Sequence, residues 1–180
     1  AYLAELWAKG FPVIPSIRGI EKIERLPAAV KYLVKPLYGG DAIGIERLNK
    51  PELLTRKTDG YIIQPCLTLR QEISFYFIDG ELQYVLATRD IRHRWELEPF
   101  TPTKEQTQIA QQFVAWNTLP YGIERIDFAL TEDGQFLLIE IEDWCPYLSL
   151  LDIPQNLREK FLRSLLHALR KLTTPLPSRA

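Results

Sequence analysis

The residues best placed to do chemistry are Arg125-Ile-Asp127 and Glu140-Ile-Glu142. Side chains alternate between faces along a strand, so Arg125 and Asp127 share one face, as do Glu140 and Glu142. Asp133-Gly134, between the two runs, is a two-residue hairpin signal. That turn pairs Glu132 with Gln135, which sets Asp127 opposite Glu140 and Arg125 opposite Glu142. Four charged side chains are then expected on one patch at the open end of a hairpin. Ile126, Phe128, Leu137, Ile139 and Ile141 take the other face, toward a core. Opposed carboxylates repel in a bare sheet. A hard divalent cation reverses the sign of that interaction, because Mg²⁺ prefers carboxylate and phosphate oxygens. Asp127, Glu140 and Glu142 are therefore candidate metal ligands. The other reading is a solvated acidic face on which Arg125 neutralises Glu142.

A second group of residues has the chemistry of phosphate binding. Val34-Lys35-Pro36 ends a strand and runs into Gly39, Gly40 and Gly44. A lysine beside a glycine-rich turn can meet phosphate, and backbone N–H groups approach closely where no Cβ intervenes. The segment is neither a Walker A loop nor a dinucleotide fingerprint, and taken alone it reads first as an ordinary hairpin loop with an exposed lysine. Arg89, Arg92 and Arg94 cluster with His93 and either clamp phosphate or solvate a loop. Ile62 to Leu67, which includes Gln64, is an apolar strand whose backbone groups at the exit could read a purine edge. Glu72 opens the following strand, where a gatekeeping edge charge is the alternative. His93 and His167 lack metal-ligand spacing, and no Ser/His/Asp or Cys/His arrangement is present.

Positioning these residues requires a series of short elements. A helix is expected from Tyr2 to a stop at Gly10, and Phe11 to Ser16 reads as an edge strand. Strands are expected at Lys31 to Lys35, Ile43 to Leu48 and Tyr61 to Cys66, with a short helix behind Pro51. Glu72 to Ile78 and Glu81 to Thr88 flank the turn Asp79-Gly80. Thr103 and Gln106 fit a capping box for a helix to about Trp116. Leu157, Phe161, Leu165, Leu169 and Leu172 stripe a C-terminal helix from about Pro154. Hairpins interspersed with helices argue for an α+β fold with antiparallel sheets. A seam near residue 66 would give subdomains 1–66 and 67–173 and a tail 174–180.

The 180 residues are 46% hydrophobic and 25% charged, enough to bury a core. The net charge of −1 offers no electrostatic footprint for nucleic acid. No apolar run approaches a membrane span. Cys66 and Cys145 are too few for a disulfide scaffold or a zinc cluster. These features lead us to expect a reduced, cytoplasmic protein without nucleic-acid or membrane partners. A homo-oligomer is possible.

Taken together and in this order, the segments resemble the ATP-grasp superfamily, over about Leu3 to Leu151. Phe11-Pro-Val-Ile-Pro15 looks like its opening strand, and Tyr32-Leu-Val-Lys-Pro36 like its phosphate-lysine strand. Ile62 to Leu67 looks like the hinge that holds adenine, and Glu72 matches the acidic position beyond it. Arg125 to Asp127, Asp133-Gly-Gln-Phe136 and Ile139 to Glu142 resemble the metal-binding hairpin of D-alanine–D-alanine ligases. Glu142 stands where that group usually has Asn. Glu142 followed by Cys145-Pro-Tyr-Leu-Ser-Leu150 looks more like the glutathione-synthetase-like ligases, including the cycloserine-forming type.

The resemblance implies a carboxylate–amine or carboxylate–thiol ligase that uses ATP and Mg²⁺ (or Mn²⁺). Asp127, Glu140 and Glu142 would hold the metal. Lys35, Gln64, Leu67, Glu72, Arg89 and Arg94 would bind the nucleotide. Arg125 would be catalytic, stabilising an acyl phosphate and the following tetrahedral intermediate. The substrates would be a small carboxylate and an amine. The family's N-terminal domain and its earlier nucleotide lysine have no counterpart here. The start at Ala1 and the absence of Met also suggest the C-terminal part of a longer protein. The 180 residues alone are accordingly expected to show no ligase turnover. Two competing readings stand beside this one. One is a non-catalytic nucleotide-binding or scaffold domain that keeps the fold. The other is an α+β interaction module with an incidental acidic hairpin.

Overall fold

The computed structural model describes residues 2–38 and 43–173. The expected glycine loop at Gly39-Gly40 and the tail 174–180 lie outside the described residues. Two compact units are present: Ala1–Arg70 with Ala129–Ile139, and Gln71–Phe128 with Glu140–Ala180.

The first unit opens with α1 (Tyr2–Ala8), whose chain turns out at Gly10 with φ 81°. That left-handed conformation suits glycine, which has no Cβ to clash. A sheet follows from β1 (Tyr32–Pro36), β2 (Glu46–Leu48) and β3 (Tyr61–Pro65). Its order is β2-β1-β3, with both neighbours antiparallel to β1. Helix α2 (Lys50–Thr55) begins on a capping box in which Asn49 and Glu52 satisfy each other's backbone N–H groups. Val34, Leu53 and Ile63 are fully buried and pack with Ile17, Ile23, Leu26 and Tyr32. The expected edge strand at Phe11 to Ser16 does not form. The segment bends at Pro12, where the Val13 N–H turns back to the Phe11 carbonyl at 2.8 Å, and it makes one isolated bridge, Val13 to Leu138, with a second, Ile17 to Ile63, just beyond it. Pro12 and Pro15 remove the N–H donors a continuous ladder would need.

The chain continues through β4 (Leu69–Ile78), β5 (Glu81–Thr88), β6 (Leu97–Pro99), α3 (Lys104–Asn117), β7 (Ile123–Thr131), β8 (Phe136–Glu142) and α4 (Gln155–Thr173); these make up the second unit except for the start of β4 and the turn end of the β7–β8 hairpin, Ala129–Ile139, which belong to the first. The sheet order is β6-β5-β4-β7-β8. Asp79-Gly80 forms the expected two-residue turn, with Ile78 opposite Glu81 and φ values of 49° and 77°. Positive φ at both central residues is the type I′ geometry whose twist matches that of the strands. Helix α3 starts on the Thr103–Gln106 capping box. Tyr76 and Tyr84 stack at 4.3 Å, and Phe161 of α4 meets Tyr84 edge-on at 5.4 Å. Leu157 and Leu165 of the helix stripe line the same core. Hairpins interspersed with helices, with antiparallel pairing in both sheets, make the fold α+β as expected.

Candidate functional site

Strand β7 puts Ile126 and Phe128 on one face, where both are fully buried, and Arg125 and Asp127 on the other. Carboxylate oxygens of Asp127, Glu140 and Glu142 all lie within 4.8 Å of one another. The four charged residues expected to converge are thus together.

The turn that joins the strands is not the one expected. Thr131 N–H donates to the Gln135 carbonyl at 3.0 Å, and Gly134 N–H to the Thr131 carbonyl at 3.0 Å. Three residues, Glu132-Asp133-Gly134, therefore form the connection, and only Gly134 has positive φ, 85°. Glu132 does not pair with Gln135. Continued without change, a Thr131–Gln135 pairing would turn Glu140 away from Asp127. The meeting of the carboxylates requires the register to step by one residue between the turn and the site, as a β-bulge does.

Arg125 sits inside the cluster. Its Nη2 lies 2.8 Å from Asp127 Oδ2 and 2.9 Å from Glu142 Oε1, and Nη1 donates to the Tyr147 carbonyl at 3.4 Å. Burial works against the guanidinium charge, but Asp127 and then Glu142 more than offset it and hold its pKa above the ordinary value. Asp127 is only 16% exposed and Glu142 33%, so water screens these charges incompletely. Glu140 is exposed. Three hard carboxylate donors and no nitrogen or sulfur form a donor set that fits Mg²⁺ or Mn²⁺.

One acidic neighbour was not legible in the sequence. Glu124 is 2% exposed, on the apolar side of β7. Asn117 Nδ2 donates to its Oε1 at 2.6 Å and to Asp143 Oδ2 at 3.0 Å. Burial raises the Glu124 carboxyl above its ordinary value of 4.5; the Asn117 bond draws it back, and Asp143 pushes it up again. The folded chain therefore keeps this proton to higher pH than the unfolded chain does. The contribution to stability is full below the ordinary value and falls as pH rises through the raised one. Glu124→Gln retains an acceptor for Asn117 and is expected to remove that fall. Urea unfolding should show its stability relative to wild type growing from pH 4.5 to neutrality. A constant difference across that range would contradict the assignment.

The expected phosphate-binding arginines are held by carboxylates. Arg94 donates to Glu72 Oε2 through Nε at 3.0 Å and Nη2 at 2.8 Å, so these two candidates are brought together. Arg89 Nε lies 3.4 Å from Glu98. Arg92 forms a fork with Asp90 and holds its carboxyl down at about 2. Lys35 stands on β1 opposite Ile62. Gln64 is fully buried and donates to Ser16 Oγ at 2.8 Å, so its side chain serves the interior. Leu67 is half-buried just after β3, and the Cys66 N–H is spent on the Lys31 carbonyl.

No family model matches the chain, and no curated protein matches it in sequence. Solved structures do. The D-cycloserine synthetase DcsG matches with a TM-score of 0.66 and 21% identity, over 93% of this chain and 69% of that one. The ATP-grasp ligase PsnB, complexed with precursor peptide PsnA2 and AMPPNP, gives 0.65 and 20%, over 91% of this chain and 56% of that one. D-alanine–D-alanine ligase from Bacillus anthracis, complexed with ATP, gives 0.61 and 15%, over 93% and 62%. The chain thus spans between 56% and 69% of the length of these proteins. Likeness at 15 to 21% identity defines the fold, and that fold is the ATP-grasp fold. Among the described residues, no helix is long and apolar enough to cross a membrane.

Proposed function

We propose that the chain is the ATP-binding part of an ATP- and Mg²⁺-dependent ligase that joins a carboxylate to an amine or a thiol. The observation that carries this reading is the convergence of Asp127, Glu140 and Glu142 around Arg125 on one hairpin of an ATP-grasp fold. In the reaction, a substrate carboxylate oxygen takes the γ-phosphoryl group of ATP, releasing ADP. The amine nitrogen then attacks the acyl carbon, phosphate leaves, and the amide forms with loss of a proton. Mg²⁺ on the three carboxylates would neutralise charge on the phosphates.

The remaining work falls to the chain's own groups. Arg125 stays charged at any accessible pH and presents a planar fork of N–H donors. Aimed at the acyl phosphate, that fork stabilises the oxyanion of the tetrahedral intermediate. Lys35, Arg89 and Arg94 would hold phosphate oxygens. The segment from Gln64 to Leu67, with Glu72, would bind the nucleoside. No covalent enzyme intermediate is needed, since positioning and electrostatics supply the rate.

The test is ADP release by the protein from its complete reading frame, with Mg²⁺ and a panel of amino acids and small peptides. Turnover that requires both an acid and an amine or thiol is expected. ATP binding with no turnover for any pair would favour a nucleotide-binding scaffold instead.

A further inference from the structure

Arg125 does more than neighbour the carboxylates; it occupies their lone pairs. Its Nε lies 3.0 Å from both Asp127 oxygens, and Nη2 reaches Asp127 Oδ2 at 2.8 Å and Glu142 Oε1 at 2.9 Å. Both side chains of the Arg125–Asp127 pair are only 16% exposed, so the contact is held in a poorly solvated place. A bidentate guanidinium–carboxylate contact is among the stronger ion pairs. The guanidinium cannot relieve the competition by losing its proton.

We propose that Arg125 is an internal competitor of the divalent cation at Asp127 and Glu142. The inference rests on reading the three carboxylates as a cation site. An oxygen lone pair aimed at an N–H is not aimed at a metal, and a fixed positive charge a few ångströms away repels one. Cation binding and the Arg125 ion pairs therefore oppose each other. Linkage makes the opposition reciprocal. An anion that draws the guanidinium away from Asp127 and Glu142 raises the affinity of the carboxylates for the cation. Arg125 is in this respect a positioning residue that couples anion binding to cation binding, apart from any role in the chemical step. The device differs from an ordinary surface ion pair, in which solvent leaves both partners free to exchange.

The experiment is titration of the chain with Mn²⁺ alone, free ion being followed by electron paramagnetic resonance. Wild type, Arg125→Gln, Arg125→Lys and Asp127→Asn with Glu140→Gln are compared, with circular dichroism to check folding. Arg125→Gln should bind Mn²⁺ roughly tenfold more tightly than wild type, the size expected for removing one nearby positive charge. Arg125→Lys, which keeps the charge but loses the fork, should gain less. The carboxylate double variant should lose binding. Equal or weaker Mn²⁺ affinity in folded Arg125→Gln overturns the proposal. If that variant does not fold, absence of any gain in Arg125→Lys overturns it. Wild type and arginine variants that all fail to bind Mn²⁺ would remove the cation site itself, an outcome distinct from a bound ion indifferent to Arg125.

Discussion

Mg²⁺ with ATP is expected to raise the melting temperature of the wild-type intact protein, and Asp127→Asn combined with Glu140→Gln is expected to erase that rise. A ligand at a hundredfold excess over its Kd stabilises the folded state by about 2.7 kcal/mol. In a chain of this length each kcal/mol moves the midpoint by about 2–4 °C, so the wild-type shift should be about 5–10 °C. Both substitutions keep side-chain size and remove only charge. Neither disturbs Ile126 or Phe128, whose burial anchors the strand. Asp127→Asn takes the charged partner from the Arg125 fork, so the unliganded midpoint should fall, although Arg125 keeps Glu142 at 2.9 Å as a partner. The quantity that decides is the ligand-induced shift measured from each protein's own unliganded midpoint, and in the double variant it should disappear. Differential scanning fluorimetry with and without Mg²⁺–ATP measures both quantities. A double variant that keeps the full shift would remove these residues from the metal site and leave nucleotide binding to other groups.

The hairpin that carries those residues was legible because its two periodicities agree. Arg125 and Asp127 alternate with Ile126 and Phe128, and one face had to be buried. The turn was misread for a specific reason. Asp79-Gly80 and Asp133-Gly134 are the same dipeptide, yet Asp79 adopts φ 49° while Asp133 is not among the positive-φ residues. The difference lies in Thr131. Its hydroxyl accepts the Gln135 N–H at 2.9 Å and hydrogen-bonds the Asp133 carboxylate, so the side chain competes with the backbone for the turn's partners. A dipeptide signal does not contain that competition. Strand β6 was missed because Leu97–Pro99 is three residues long and ends in a proline that cannot extend a ladder. Glu124 was missed because its burial depends on Asn117, which α3 brings from elsewhere in the chain. The arginines after β5 were visible as a charged cluster, but their carboxylate partners depend on which of Glu72, Asp90 and Glu98 the loop brings near. Local alternation and the Asp79-Gly80 turn were readable, whereas partners supplied by side chains outside the local signal were not.

Phe128→Ala is expected to produce the largest loss of stability that a single substitution near the site can give. Phe128 is fully buried, meets Phe75 edge-to-face at 5.5 Å and 76°, and lies 5.8 Å from Phe113 of α3. The ring therefore joins β7 to β4 and to a helix, and truncation removes both contacts at once. Phe75 and Phe113 are themselves fully buried, so the hole is walled by side chains that cannot reach solvent and collapse only in part. Such truncations cost about 3–5 kcal/mol, counting lost transfer energy and the residual cavity. For a chain of this length the midpoint should fall by roughly 6–20 °C. Asp127 is the neighbouring residue on the same strand, with its carboxylate on the opposite face. Because Phe128 lies on the buried face of β7, opposite Arg125 and Asp127, the surviving folded fraction should keep its Mn²⁺ affinity within about threefold, less than the tenfold worth of 1.4 kcal/mol. Urea unfolding and Mn²⁺ titration of the one variant separate the two properties. A fall of less than about 1 kcal/mol would show that the aromatic contacts do not anchor β7. Tenfold weaker Mn²⁺ binding in protein still folded would show that the cation site depends on the packing beneath it rather than on the register of the hairpin alone.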